Sequence, residues 1–115
     1  MSSPPPPTLP RSSDRGAGSS VAKVRWTRLA VGDLLAARQH FDQVAPDAWD
    51  PLARRLKAAL AQVARHPKSG RVVPERRAQG YREVMVQPYR LVFTIAGSEV
   101  HVLRFWHSRR DPTQL

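Results

Sequence analysis

The sequence predicts an α+β domain in which a helical hairpin packs on one face of a small, mostly antiparallel sheet, in the order β-α-α-β-β-β. Three observations predict it. Between Val21 and Thr27, Val24 and Trp26 alternate with Lys23 and Arg25, the two-residue period of a half-buried strand. From Leu29 to Arg65, apolar residues recur at three- and four-residue steps, the period of helices that bury one stripe. From Tyr81 to Asp111, three apolar runs rich in β-branched and aromatic residues are separated by turn residues, which reads as an antiparallel meander.

Residues 1–20 come first and do not belong to that pattern. They are mostly Ser, Pro, Gly and Arg, with Pro4 to Pro7 favouring polyproline II, and cannot bury a core. A disordered tail is expected there, and a domain over 21–115. In the first helix Val31, Leu34, Leu35, Phe41 and Val44 are expected to face the core, with Arg38 interrupting the row and Pro46 ending it. Asp47 or Asp50 is placed to cap the second helix. There Trp49, Leu52, Leu56, Ala59, Leu60 and Val63 form the stripe, and Arg54, Arg55, Lys57 and Arg65 the solvent face. The segment His66-Pro67-Lys68-Ser69-Gly70 ends that helix. The three strands then occupy Tyr81–Val86, Pro88–Ile95 and the run from Val100. Trp26 and Trp49 are expected in the core. With both helices on one side, the other sheet face is expected to lie open to a partner, a substrate or another copy.

Composition narrows the function. The chain has 115 residues, enough for one modest core, and a formal charge of +10. The first twenty residues hold only Arg11, Arg15 and Asp14, so nearly all the charge belongs to the domain. Such a charge favours nucleic acid, ribosomes or an acidic protein partner. Arginine far outnumbers lysine, which also fits a codon bias. Cysteine is absent, which excludes disulfides and thiolate chemistry. No apolar run is long enough to span a membrane and no secretory signal opens the chain, so a cytoplasmic protein is expected. His40, His66, His101 and His107 lack ligand spacing, and no metal or cofactor is expected. His101 and His107 are six apart, so one strand face should carry both, about 20 Å from each other. The meander holds Arg82, Arg90, Arg104, His107, Arg109 and Arg110. Charge repeated in strands needs an anionic partner. The aromatics make no RNA-binding sheet motif and no helix-turn-helix spacing is present.

Several local patterns resemble the RelE/ParE family of toxins from type II toxin–antitoxin operons, over about Val21 to Asp111. Trp26-Thr27 followed by Ala30-x-x-Asp33-Leu34 is similar to the family's first strand and helix entry. His66-Pro67-x-x-Gly70-Arg71 is similar to its loop after the second helix. Tyr81-Arg82-Glu83-Val84 and Tyr89-Arg90-Leu91-Val92-Phe93 resemble its middle strands, and Val102-Leu103-Arg104-Phe105-Trp106-His107-Ser108-Arg109-Arg110-Asp111 its last strand with the ParE-like His-x-Arg-Arg-Asp ending. The resemblance implies a plasmid-stabilisation type toxin held in a hetero-oligomer by an acidic cognate antitoxin. It implies either ParE-like inhibition of DNA gyrase by binding or RelE-like cleavage of mRNA on the ribosome. Arg104, Arg109, Arg110 and Asp111 are then the residues expected to meet a partner or target.

Cleavage by 2′-OH attack needs a base, cations for the crowded phosphate and an acid for the leaving oxygen. By resemblance to RNA-cutting members, Arg90 supplies a cation, His107 the acid, Glu75 the base, and Arg82 stands where RelE has a lysine. The set is incomplete: Ser108 follows the histidine where YoeB-like members have tyrosine, and Val84 stands where RelE has a second lysine. This favours the ParE-like action. Each residue also has a structural use: Arg90 across from Glu83, His107 on backbone, Glu75 solvated beside Arg76 and Arg77. Register decides between them. A tight Gln87-Pro88 turn puts Arg82 on the face of Tyr89, Leu91 and Phe93, opposite Arg90. A turn one residue longer or shorter puts the two arginines together.

Overall fold

A computed structural model describes residues 21–109; the predicted tail and the C-terminal residues 110–115 lie outside the described residues. Strand β1 (Lys23–Trp26) leads into helix α1 (Arg28–Val44), then α2 (Trp49–Arg65), β2 (Arg71–Val72), β3 (Arg82–Val86), β4 (Tyr89–Ala96) and β5 (Glu99–His107). Short 3-10 turns occupy Pro46–Ala48, Pro67–Ser69 and Pro74–Gln79, each opened by a proline whose fixed φ suits a first helical position. The sheet runs β1-β5-β4-β3-β2, with β1 parallel to β5 and every other pair antiparallel. The fold class is the one predicted, with one strand added: β2 is two residues long, too short to leave a periodic signal.

Helix α1 starts where Thr27 Oγ1 accepts a hydrogen bond from the Ala30 N–H, and it ends before Pro46. Its buried face differs from the predicted row. Ala30 and Ala37 are fully buried and Leu34 and Phe41 half-buried, at steps of four, three and four. Val31, Leu35 and Val44 are exposed, as is Leu29. The small alanines let α1 approach β5 closely, so its contact face is set by size rather than by hydropathy. In α2 the predicted stripe holds: Leu52, Leu56 and Val63 are buried, with Trp49, Ala59 and Leu60 packed beside them. The predicted aspartate cap is not made. Ala48 occupies the N-cap position with no side-chain bond, and Asp50 sits in the first turn, where its charge suits the helix dipole.

The core fills the space between the helices and one sheet face. Leu52 and Leu56 from α2 and Ala30 and Ala37 from α1 meet Val86, Tyr89, Leu91 and Phe105. Phe93, Val100 and Val63 form a second cluster toward the β1 end. Gly70 is fixed by this packing, because a Cβ there would stand 2.6 Å from the Phe93 ring. Trp26 and Trp49 are half-buried against the first cluster.

The far face is not bare, contrary to expectation. Val92, Trp106 and Glu83 on it are 1, 3 and 5% exposed. A bulge at Leu103 also changes its membership. Arg104 pairs with Val92 but Val102 pairs with Phe93, so Leu103 has no partner in β4. The extra residue reverses side-chain alternation. His101 therefore lies on the far face beside Thr94, whereas His107 lies on the helix face beside Tyr89. The expectation that both histidines share a face fails for this reason.

Candidate functional site

The tight Gln87-Pro88 turn is formed, with Val86 opposite Tyr89 and Arg82 opposite Phe93. Arg82 thus joins the helix face and Arg90 the far face. Both are held by intramolecular bonds. Arg82 Nη1 donates to the carbonyls of Gly70 (2.8 Å) and Lys68 (3.1 Å), tying the loop after α2 to β3. Arg90 Nη1 donates to Glu83 Oε1 at 3.0 Å and its Nη2 to the Ser108 carbonyl at 2.9 Å. Glu83 is buried and its second oxygen accepts from Arg71 Nε at 2.9 Å and Nη2 at 2.7 Å. One carboxylate on β3 is therefore shared by guanidiniums from the two strands that flank it, β2 and β4. Burial of such a charge requires this degree of pairing.

Arg104 is likewise engaged. Its Nε and Nη2 donate to the two oxygens of Asp33 at 2.7 and 2.8 Å, and its guanidinium lies 4.5 Å from the centre of the Trp106 ring. The Asp33 bond raises the guanidinium's affinity for its proton. Asp33 Oδ2 also accepts the Phe105 N–H at 3.0 Å, and Thr27 Oγ1 donates to the Leu103 carbonyl at 3.2 Å. The register of β1 on β5 ends at Trp26 opposite Val102. Beyond it, α1 side chains take over the hydrogen bonding of the β5 edge.

His107 is exposed. Its ring meets Tyr89 edge-on at 5.6 Å, and its Nδ1 accepts the Arg109 N–H at 3.3 Å. Tyr89 stacks on Phe105 at 4.7 Å, and burial pushes its hydroxyl pKa up. Glu75 is exposed at the first turn of the Pro74–Gln79 segment. Arg109 is exposed, and Arg110 and Asp111 lie outside the described residues. A third ionic cluster stands at the β1 end of the far face. Glu99 accepts from His101 Nε2 at 2.9 Å and Arg25 Nε at 3.0 Å, and these bonds lower its pKa, the histidine's first.

The four candidates for RNA chemistry are thus dispersed. Arg90 is on the opposite face from Arg82 and His107. Arg82 and His107 sit at opposite ends of the β3–β5 rows, four residues apart along β4, or about 13 Å at ~3.3 Å per residue. Sequence reasoning found the Arg90–Glu83 pair, a cross-strand neighbour relation readable from the hairpin. It did not assign Asp33 its role, since the partner Arg104 is 71 residues away. Arg71 was read only as part of a loop pattern. Among the described residues no group of three His, Asp or Glu side chains is placed to hold a metal, and no helix is long and apolar enough to cross a membrane.

Comparison with known proteins completes the picture. Residues 24–112 match the model of the family described as the ParE toxin of type II toxin–antitoxin system, parDE. Toxin RelE2 of Caulobacter vibrioides is 36% identical over 91 residues, covering 78% of this chain and 99% of that protein. A solved structure of the chromosomal ParDE toxin–antitoxin system from P. aeruginosa aligns with a TM-score of 0.60 at 22% identity, over 77% of this chain and 98% of that one, and so shares the fold. The chain is a member of the RelE/ParE family of toxins from type II toxin–antitoxin systems.

Proposed function

We propose that this toxin acts in the cytoplasm as a ParE-like inhibitor of DNA gyrase, by binding and without a catalytic centre. One observation carries the reading. The residues that would have to converge on a phosphate do not: Arg90 faces away from Arg82 and His107, and Glu83 and the Ser108 carbonyl already occupy its guanidinium. A cation whose two terminal nitrogens are engaged by a buried carboxylate and a backbone carbonyl is a poor ligand for RNA. The family model matched is the ParE one, which supports the same reading. The antitoxin partner that membership implies is expected to be acidic, matching the +10 charge of the chain.

The experiment is expression of the toxin with either DNA replication or translation followed as the first process to fail. Arrest of replication with an SOS response, and inhibition of purified gyrase supercoiling, are the expected results. His107→Ala and Arg90→Ala are expected to leave toxicity in place wherever the domain remains folded. First failure of translation, with His107→Ala abolishing it in a folded protein, would instead establish the ribosome-dependent mRNA cleavage that RelE-like members perform.

A further inference from the structure

The outer side of α2 carries charge that the fold does not use. Arg54, Lys57 and Arg65 are exposed and form no ion pair among the described residues. They fall within about 80° of one another around the helix and span about 17 Å along it, at ~3.6 residues per turn and ~1.5 Å rise. Ala58 and Ala61, also exposed, lie between them, so nothing bulky interrupts the row. Between Asp50 and Glu75 six residues are Arg or Lys and none is acidic, so no near neighbour in the chain offsets these charges. Asp50 stands one turn before Arg54 and marks where the row begins. Arg55 lies to one side of the row and donates to the Gln87 carbonyl at 2.7 Å. Cations elsewhere are matched: on α1, Arg38 pairs with Asp42 one turn on, and Arg104 holds Asp33. A solvated helix face gains from such pairs, whereas like charges set side by side repel. Of the three, only Arg65 has a use inside the fold, because a cation in the last turn suits the helix dipole.

We infer that the outer face of α2 binds duplex DNA through its phosphate backbone, with Arg54, Lys57 and Arg65 as the phosphate contacts. This goes beyond the gyrase reading, which does not require the toxin itself to touch DNA. The chemistry of the face selects the partner. Its exposed apolar residues are alanines only, so it offers no large side chain to insert into a lipid surface. For the same reason it lacks the aromatic or bulky anchor around which a protein interface is built. It has no aromatic ring on which the bases of a single strand could stack. A row of unpaired cations on a smooth helix is sufficient for one class of partner, a regular array of phosphates, because that contact needs charge and close approach rather than pockets. The major groove of B-form DNA is about 12 Å wide and admits a helix, whereas the major groove of an RNA duplex is deep and narrow. A convex helix face with cations along its length therefore fits the DNA duplex.

The test is fluorescence anisotropy of the full chain with a short labelled DNA duplex of mixed sequence, repeated from ~50 to ~200 mM salt, the range over which phosphate contacts weaken steeply. Each phosphate contact contributes about 0.9 to the slope of log affinity against log salt. The double variant Arg54→Gln with Arg65→Gln is expected to lower that slope by about 2 and to weaken binding about tenfold or more at the low-salt end, and Lys57→Gln added to it lowers the slope by about 1 more. Glutamine keeps the helix propensity, and thermal melts establish that each variant is folded. The control is Lys23→Gln with Arg28→Gln, which removes the same charge from exposed positions on β1 and α1. It is expected to change the slope by less than about 0.5. An equal loss in the α2 double and the control makes the binding a matter of net charge and overturns the inference. Absence of duplex binding by the wild-type chain at ~50 mM salt overturns it as well, since non-specific contact is strongest there. Tighter binding to an RNA duplex or to a single strand than to the DNA duplex overturns the assignment of partner. Inhibition of gyrase is measured apart from this, so none of these failures removes the gyrase reading.

Discussion

The two faces of the sheet are held together by opposite means. Under the helices the contacts are apolar and close, with Leu91 and Phe93 fully buried and Tyr89 stacked on Phe105. On the far face, ion pairs cover the sheet: Glu83 is buried between Arg71 and Arg90, Arg104 binds Asp33 and lies over Trp106, and at the β1 end the more exposed Glu99 bridges Arg25 and His101. The long arginine stems cover apolar surface that no helix reaches, while their heads are satisfied by carboxylates. Cations placed within strands here are thus a second core, made of pairs. The charge left for partners lies elsewhere, on α2 and in the loops, where Arg54, Lys57, Arg65 and Arg77 are exposed and form no ion pair among the described residues.

That contrast can be broken from either side. The largest effect is expected from the apolar face. Phe93→Ala should cost about 3–5 kcal/mol, the usual range for a buried phenylalanine, seen as a lower denaturant midpoint with little change in slope. On the far face, Glu83→Gln should cost about 1.5–3 kcal/mol, the scale of hydrogen bonds to a charged group. An unchanged midpoint would show that the arginines do not need their shared carboxylate. Gly70→Ala tests where the two regions meet, since its Cβ would strike Phe93 and its carbonyl anchors Arg82. A loss of about 1–3 kcal/mol is expected from overpacking. The smallest effect belongs to Glu99. Its folded pKa is depressed below the usual 4.5 by His101 and Arg25, so its contribution is present above that value and declines as pH falls through the folded pKa. Glu99→Gln should remove this part of the acid sensitivity and leave stability near pH 7 almost unaltered, because exposed pairs contribute little.

What the sequence revealed depended on how local the cause was. The α2 stripe and the β3–β4 hairpin were legible because each is set by neighbours within a few residues. The α1 face was not, because Ala30 and Ala37 carry too little hydropathy to outweigh Val31 and Leu35, and only β5 decides which side fits. The bulge at Leu103 leaves no compositional mark, so strict alternation put His101 and His107 on one face, where the structure separates them. The site divides the same way. Arg90 across from Glu83 was readable from the hairpin, whereas Asp33 binding Arg104 required two elements brought together by the whole fold. Whether Arg82 met Arg90 turned on one turn length, which the sequence left open.

The way α1 closes the end of β5 bears on solubility. The Leu103–His107 stretch is aromatic and free of proline, and its outer backbone groups are met by Thr27 and Asp33 rather than by another strand. Were α1 to detach, that edge would offer a second molecule an unpaired ribbon to extend, the usual start of edge-to-edge aggregation. Helix α1 and its cap therefore act as a shield, closing to a second molecule the one stretch of the last strand that no neighbouring strand covers.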